Sequence, residues 1–114
     1  MILVTGVSNS GKTYTLERLV QAMPSFRYVR ASAILRLLSR PISDLTVEAA
    51  VENQDALVAE LSRLGILSDD DAVLDGHATV ETTSGTLPIP DRTFDALAPR
   101  AIVHVVSPLA LISE

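Results

Sequence analysis

The sequence predicts an α/β domain built on a parallel β-sheet with helices on both faces. Three observations predict it. Short apolar runs alternate with segments of helical periodicity, the pattern that produces parallel strands joined by helical crossovers. The runs are continuous rather than alternating, as expected of strands buried on both faces. A glycine-rich stretch lies between the first run and the first helical segment, at Gly6 to Thr13. With 114 residues, 47% of them apolar, the chain suits one domain spanning residues 1–114 with a sizeable core. Its only aromatic residues are Tyr14, Phe26, Tyr28 and Phe94, so that core must be aliphatic.

Ile2 to Thr5 is an apolar run closed by Gly6 and reads as a buried strand. Tyr14, Leu16, Leu19, Val20 and Met23 carry helical spacing until Pro24 stops the helix. Arg27 to Arg30 is a short strand candidate, and Ile34, Leu35, Leu37 and Leu38 mark a second helix ending before Pro41. From Thr46, apolar residues recur at Val47, Ala50, Val51, Leu57, Val58, Leu61 and Leu64, and Gly65 closes this third, strongly amphipathic helix. Ala72 to Asp75 is a third apolar run, ending in an acid before Gly76. Residues 77–90 place Ser84-Gly85 between two β-prone runs and read as a hairpin-like excursion. Asp91 to Leu97 is a brief helix and Ala101 to Val106 a last strand.

Composition narrows the function. A net charge of −5 argues against nucleic-acid or membrane-surface binding, since both want a basic face. A polyanionic ligand must then be held by a few local donors. The absence of cysteine removes disulfides, thiolate metal sites and cysteine nucleophiles together. The amino-terminal run meets glycine within six residues without a basic leader, and a cytoplasmic location is expected. The basic residues are eight arginines and one lysine, Lys12.

That lysine falls inside Gly6-Val7-Ser8-Asn9-Ser10-Gly11-Lys12-Thr13, which fits G-x-x-x-x-G-K-[ST] at every fixed position. Glycines allow dihedrals and close approach that a Cβ would forbid. Backbone N–H groups then form an anion nest, reinforced by the positive end of the following helix. Lys12 would reach the β- and γ-phosphates of ATP, and the Thr13 hydroxyl would meet Mg²⁺, which prefers hard oxygen ligands. Tyr14 follows directly and belongs to the same ATP-binding stretch. A chance match in so short a chain is on the order of one in a few hundred.

A triphosphate site also needs an acid at a neighbouring strand end to orient magnesium and its waters. Asp75 is the candidate; the bland alternative is a turn cap beside Gly76. Asp69-Asp70-Asp71 reads as a solvated loop. Arg36 and Arg40, four apart on the second helix, face the same way and could hold an acceptor phosphate, or could simply be solvated. His77 stands at the carboxyl end of a parallel strand, where ligands gather, and serves either the site or its loop. His104 is expected on a strand face or in the core.

These residues resemble the adenylate kinases, especially the archaeal type, and related nucleoside monophosphate kinases. The resemblance rests on Val4-Thr5-Gly6-Val7 leading into Gly11-Lys12-Thr13, on Ala33-Ile34-Leu35-Arg36, and on Val73-Leu74-Asp75-Gly76-His77-Ala78-Thr79 with Thr82 to Gly85, Leu87-Pro88 and Pro90. It implies a three-layer α/β/α P-loop NTPase fold with strand order 2-3-1-4. It also implies Lys12 and Asp75 as catalytic, Thr13 and Asp75 at magnesium, and Arg36 with His77 on the monophosphate side. Family members continue into an arginine-rich lid, so a truncation after Glu114 is expected, and a last strand left as an exposed edge would invite homo-oligomers. The expected function is transfer of the ATP γ-phosphoryl group to a nucleoside monophosphate. The alternatives are a small-molecule kinase with another hydroxyl or phosphate acceptor, and a nucleotide-binding module without turnover.

Overall fold

The chain runs β1 (Ile2–Gly6), α1 (Lys12–Ala22), β2 (Arg27–Arg30), α2 (Ala31–Leu37), α3 (Val47–Arg63), β3 (Ala72–Asp75), β4 (Thr79–Thr82), β5 (Gly85–Pro88), α4 (Asp91–Leu97) and β6 (Ala101–Val105). This is the arrangement in a computed structural model that describes residues 1–6, 12–77 and 79–105. The main sheet is parallel throughout, in the order β2-β3-β1-β6. With the β4–β5 hairpin set aside, this is the expected order 2-3-1-4. The expected end of the last strand at Val106 lies outside the described residues.

Strand side chains alternate between faces, and that alternation divides the core in two. Leu3 and Leu74 point to one face, where Ile34 and Leu35 of α2, Leu57 and Leu61 of α3 and Leu97 of α4 cover them. Val4 and Val73 point to the other, against Leu16 of α1 with Leu19 and Phe26 beside it. One helix therefore lies on one face and three on the other, giving the α/β/α layers of a P-loop NTPase fold. The core is aliphatic, as the composition requires: its largest fully buried apolar side chains are Leu16, Leu61, Ile66, Leu74, Val4 and Val73.

The expectation of strands buried on both faces holds for β1 and β3 and fails for β2 and β6. Arg27 and Arg30 at the ends of β2 are exposed, as are Ala101 to His104 in β6, with Ile102 57% exposed. Both are edge strands with one neighbour each in the sheet. Only the central pair is sandwiched completely.

Helix ends follow local chemistry. The Thr46 hydroxyl accepts from Ala49 N at 3.1 Å and caps α3. At its other end Gly65 takes φ +74°, Gly65 N bonds Ser62 O and Ile66 N bonds Leu61 O, a Schellman closure that drives Ile66 into the core. The same closure ends α2 with a non-glycine residue: Ser39 adopts φ +58° and Arg40 N bonds Leu35 O. This corrects the reading of Arg36 and Arg40 as partners on one helix face. Arg40 lies beyond the helix, and its guanidinium donates to Asn53 Oδ1 at 2.8 Å and to Glu52 at 3.2 Å.

The hairpin expected within residues 77–90 is present as antiparallel β4 and β5, with Gly85 at φ +119° where the turn closes. It docks on the segment after α2, where Thr83 N donates to Leu45 O at 2.8 Å. The Asp69–Asp71 run is a turn, with Asp71 N donating to the Asp69 carboxylate. Among the described residues, no helix is long and apolar enough to cross a membrane.

Gly65→Ala should cost about 1 kcal/mol. The space beside Gly65 is open, so the penalty comes from left-handed backbone alone. Chemical denaturation should show a lower midpoint with an unchanged slope.

Candidate nucleotide-binding site

Parallel pairing of β1 with β3 sets Val4 beside Asp75, and pairing of β2 with β3 sets Arg30 beside the same residue. The carboxylate thus emerges at the carboxyl ends of three strands, next to the point where β1 gives way to α1. Lys12, the first residue of α1, reaches back to it. Its Nζ lies 2.7 Å from Asp75 Oδ1 and donates to the Gly76 carbonyl at 2.9 Å. The two side chains are only 10% and 12% exposed, so this ion pair is largely removed from water.

Each carboxylate oxygen has a different neighbourhood. Oδ2 accepts from the Tyr28 hydroxyl at 3.1 Å and lies 3.9 Å from Arg30 Nε. Oδ1 is buried and has the Lys12 charge beside it, but receives no hydrogen bond of good geometry from the described residues. A hard oxygen with uncommitted lone pairs is what a magnesium ion or its bound water requires, so this residue fits the metal. Gly76 closes the strand with its N–H bonded to Val4 O at 2.9 Å, and a Cβ there would meet Leu3 Cδ1 at 3.2 Å. A side chain at position 76 would therefore crowd the central strand.

Beyond Gly76 the chain enters a second feature, a cleft of about 270 Å³ on the sheet face covered by α2, α3 and α4. Its lining is mostly aliphatic, with polar points at Ser32, Asn53, Gln54, His77 and Thr93. Among the described residues no lysine or arginine lines it. Asn53 is a structural hub, 1% exposed, accepting from Arg40 and donating to Pro41 O at 2.7 Å. The Thr93 hydroxyl is buried without a partner among the described residues.

The structure brings Lys12, Asp75 and Gly6 together at one end of the sheet, and His77 leads from Asp75 into the cleft. Arg36 sits exposed in the last turn of α2, outside the cleft lining, although Ser32 and Leu35 of the same helix belong to it. Tyr14 is 64% exposed, with Arg18 stacked over its ring and bonded to its hydroxyl. Val7, Ser8, Asn9, Ser10, Gly11 and the Thr13 side chain lie outside the described residues. His104 occupies a strand face, where its Nδ1 shares a 2.9 Å hydrogen bond with the buried Thr5 hydroxyl.

Sequence reading passed over two residues at the centre of this geometry, Tyr28 and Arg30. Their signal is an alternation: two polar side chains at i and i+2 of a short strand must face the same way. Which residue they meet depends on the register with β3, which no local pattern carries.

Against known families, the model of an AAA domain matches residues 5–114. The chain belongs to this family. Among curated proteins, none matches it. As an AAA domain of P-loop NTPase type, a kind also found in kinases, the chain has a P-loop nucleotide-binding, kinase-like character.

Burial pushes the Tyr28 phenol above the ordinary tyrosine value of about 10; the Arg30 guanidinium opposes this, while the Asp75 charge adds to it. Arg30 is held above its own ordinary range, chiefly by the Tyr28 phenol beside it. A raised value means that Tyr28 contributes its full stability below about pH 10 and loses it as pH rises through the folded-state value. In Tyr14→Phe, which leaves Tyr28 as the single tyrosine, phenolate absorbance should titrate above pH 10 in the folded protein and shift down on unfolding.

Proposed function

We propose that this AAA domain chain is a magnesium- and ATP-dependent phosphotransferase of the nucleoside monophosphate kinase kind. The observation that carries the reading is the Lys12–Asp75 pair, 2.7 Å apart at the carboxyl end of the sheet and one residue from the cleft that His77 lines. In this reading the pair marks the donor side and the adjoining cleft the acceptor side. Phosphoryl transfer asks the protein for little covalent chemistry; it asks for positioning and for charge stabilisation.

In this reading Lys12 leaves Asp75 for the β- and γ-phosphates when ATP arrives. Asp75 and Thr13 would hold the magnesium, which supplies neutralisation of phosphate charge. The acceptor base enters the uncharged cleft, and Arg36, at the end of the helix that walls it, meets the acceptor phosphate bidentately. A nucleotide-binding module without turnover is the second reading. One observation favours it: no basic side chain among the described residues lines the cleft.

Lys12→Ala should weaken ATP binding by about 10- to 150-fold, the equivalent of ~1.5–3 kcal/mol for a charge-assisted contact. Titration calorimetry measures this, with circular dichroism showing that the fold persists. Unchanged ATP affinity would overturn the donor assignment. Arg36→Ala should weaken monophosphate binding at least tenfold and leave ATP binding nearly unaltered. Equal losses for both ligands, or none for either, would favour the module without turnover.

A further inference from the structure

Asp75 faces a difficulty that the proposed function creates. It is 12% exposed, and its close cation is Lys12. Once Lys12 turns to a triphosphate, a buried carboxylate beside a newly arrived polyanion would be left without its counter-ion. Removing one partner of a buried pair is strongly unfavourable because the remaining charge has lost both water and partner. The carboxylate would then hold Lys12 back from the nucleotide unless other groups hold it in place.

The β2 strand carries a second set of partners. Tyr28 donates to Oδ2 at 3.1 Å, and Arg30 Nε lies 3.9 Å from the same oxygen. Arg30 is 51% exposed and sits opposite Asp75 in the strand register. Both contacts go to Oδ2, whereas Lys12 meets Oδ1, the oxygen that receives no hydrogen bond from the other described residues. The two oxygens thus have separate partners, Tyr28 and Arg30 at Oδ2 and Lys12 at Oδ1.

We propose that Tyr28 and Arg30 are positioning residues that fix Asp75 by its Oδ2, so that Oδ1 can exchange Lys12 for a magnesium ion or its bound water when the nucleotide binds. The inference rests on the nucleotide site proposed above and assigns that site two residues from a strand outside the phosphate-loop motif. Anchoring from one side also fixes the carboxylate plane. A carboxylate held only by Lys12 would follow that side chain as it moved.

The test is the increment in ATP affinity that magnesium produces, measured by calorimetry with and without the metal, and by the spectroscopic signal of Mn²⁺ titrated into the protein–ATP complex. Tyr28→Phe and Arg30→Ala should each lower the magnesium increment and the Mn²⁺ affinity about tenfold, while metal-free ATP affinity stays within twofold. Arg30→Lys, which keeps the charge, should restore most of the loss. Three results overturn the proposal. An unchanged increment in both variants shows that Asp75 needs no anchor. Equal losses of metal-free and magnesium-dependent affinity show a merely structural role. A wild-type protein whose ATP affinity ignores magnesium removes the underlying metal reading as well, and that outcome is distinct from the other two.

Discussion

A nearly buried ammonium beside a nearly buried carboxylate ties the first helix to the third strand, and the rest of the architecture can be read from what that contact demands. Lys12 opens α1 and Asp75 closes β3, and the lysine's hydrogen bond to the neighbouring Gly76 carbonyl spans a sequence separation of 64. For the two to meet, β3 must lie directly beside β1 and run parallel to it. An antiparallel or distant β3 would carry Asp75 to the opposite end or to another edge. The register Val4 with Asp75 brings the acid level with the last turn of chain before the phosphate loop. The aliphatic sandwich on both faces of β1 and β3 holds that register, since a one-residue slip would send Leu3, Val4, Val73 and Leu74 to the wrong layers.

Much of this was legible because the sequence states it locally. The run Ile2 to Thr5 followed by the glycine-rich stretch announced a strand, loop and helix in that order, and Gly65 announced the end of α3 through the only residue type that takes φ +74° without strain. Asp75 stood out because an acid ended an apolar run. What stayed hidden depended on long-range pairing. Arg40 looked like a helical neighbour of Arg36 until Ser39 turned the chain out of α2, and a serine in left-handed backbone has no sequence signature. Asn53 occupies the apolar stripe Ala50, Leu57, Leu61, so its burial could have been inferred from the helical period. Its partners Arg40 and Pro41 could not.

The polar contacts around Asn53 bear on the site indirectly. They fasten the segment between α2 and α3, which in turn pairs with the β4–β5 hairpin through Leu45 and so shapes the rim of the cleft. This polar clamp at the outer wall contrasts with the aliphatic floor at Leu3 and Leu74. Gly76 and His77, which follow Asp75 along the chain, belong to the same lining.

Charge completes the argument. A chain with net charge −5 offers a polyanion no general attraction, and at physiological ionic strength such a field is screened within about 8 Å. Affinity for a triphosphate must come from groups that touch it, in a site dry enough for each to count. The fold meets that requirement by spending its only lysine at the carboxyl end of the sheet and placing Arg30 on the adjoining edge strand, both converging on one carboxylate. Asp75 lies 2.7 Å from the first of these cations and 3.9 Å from the second. Removing the acid would leave Lys12 and Arg30 without the negative charge that both approach at this corner of the sheet, so the carboxylate is what allows two cations to converge there.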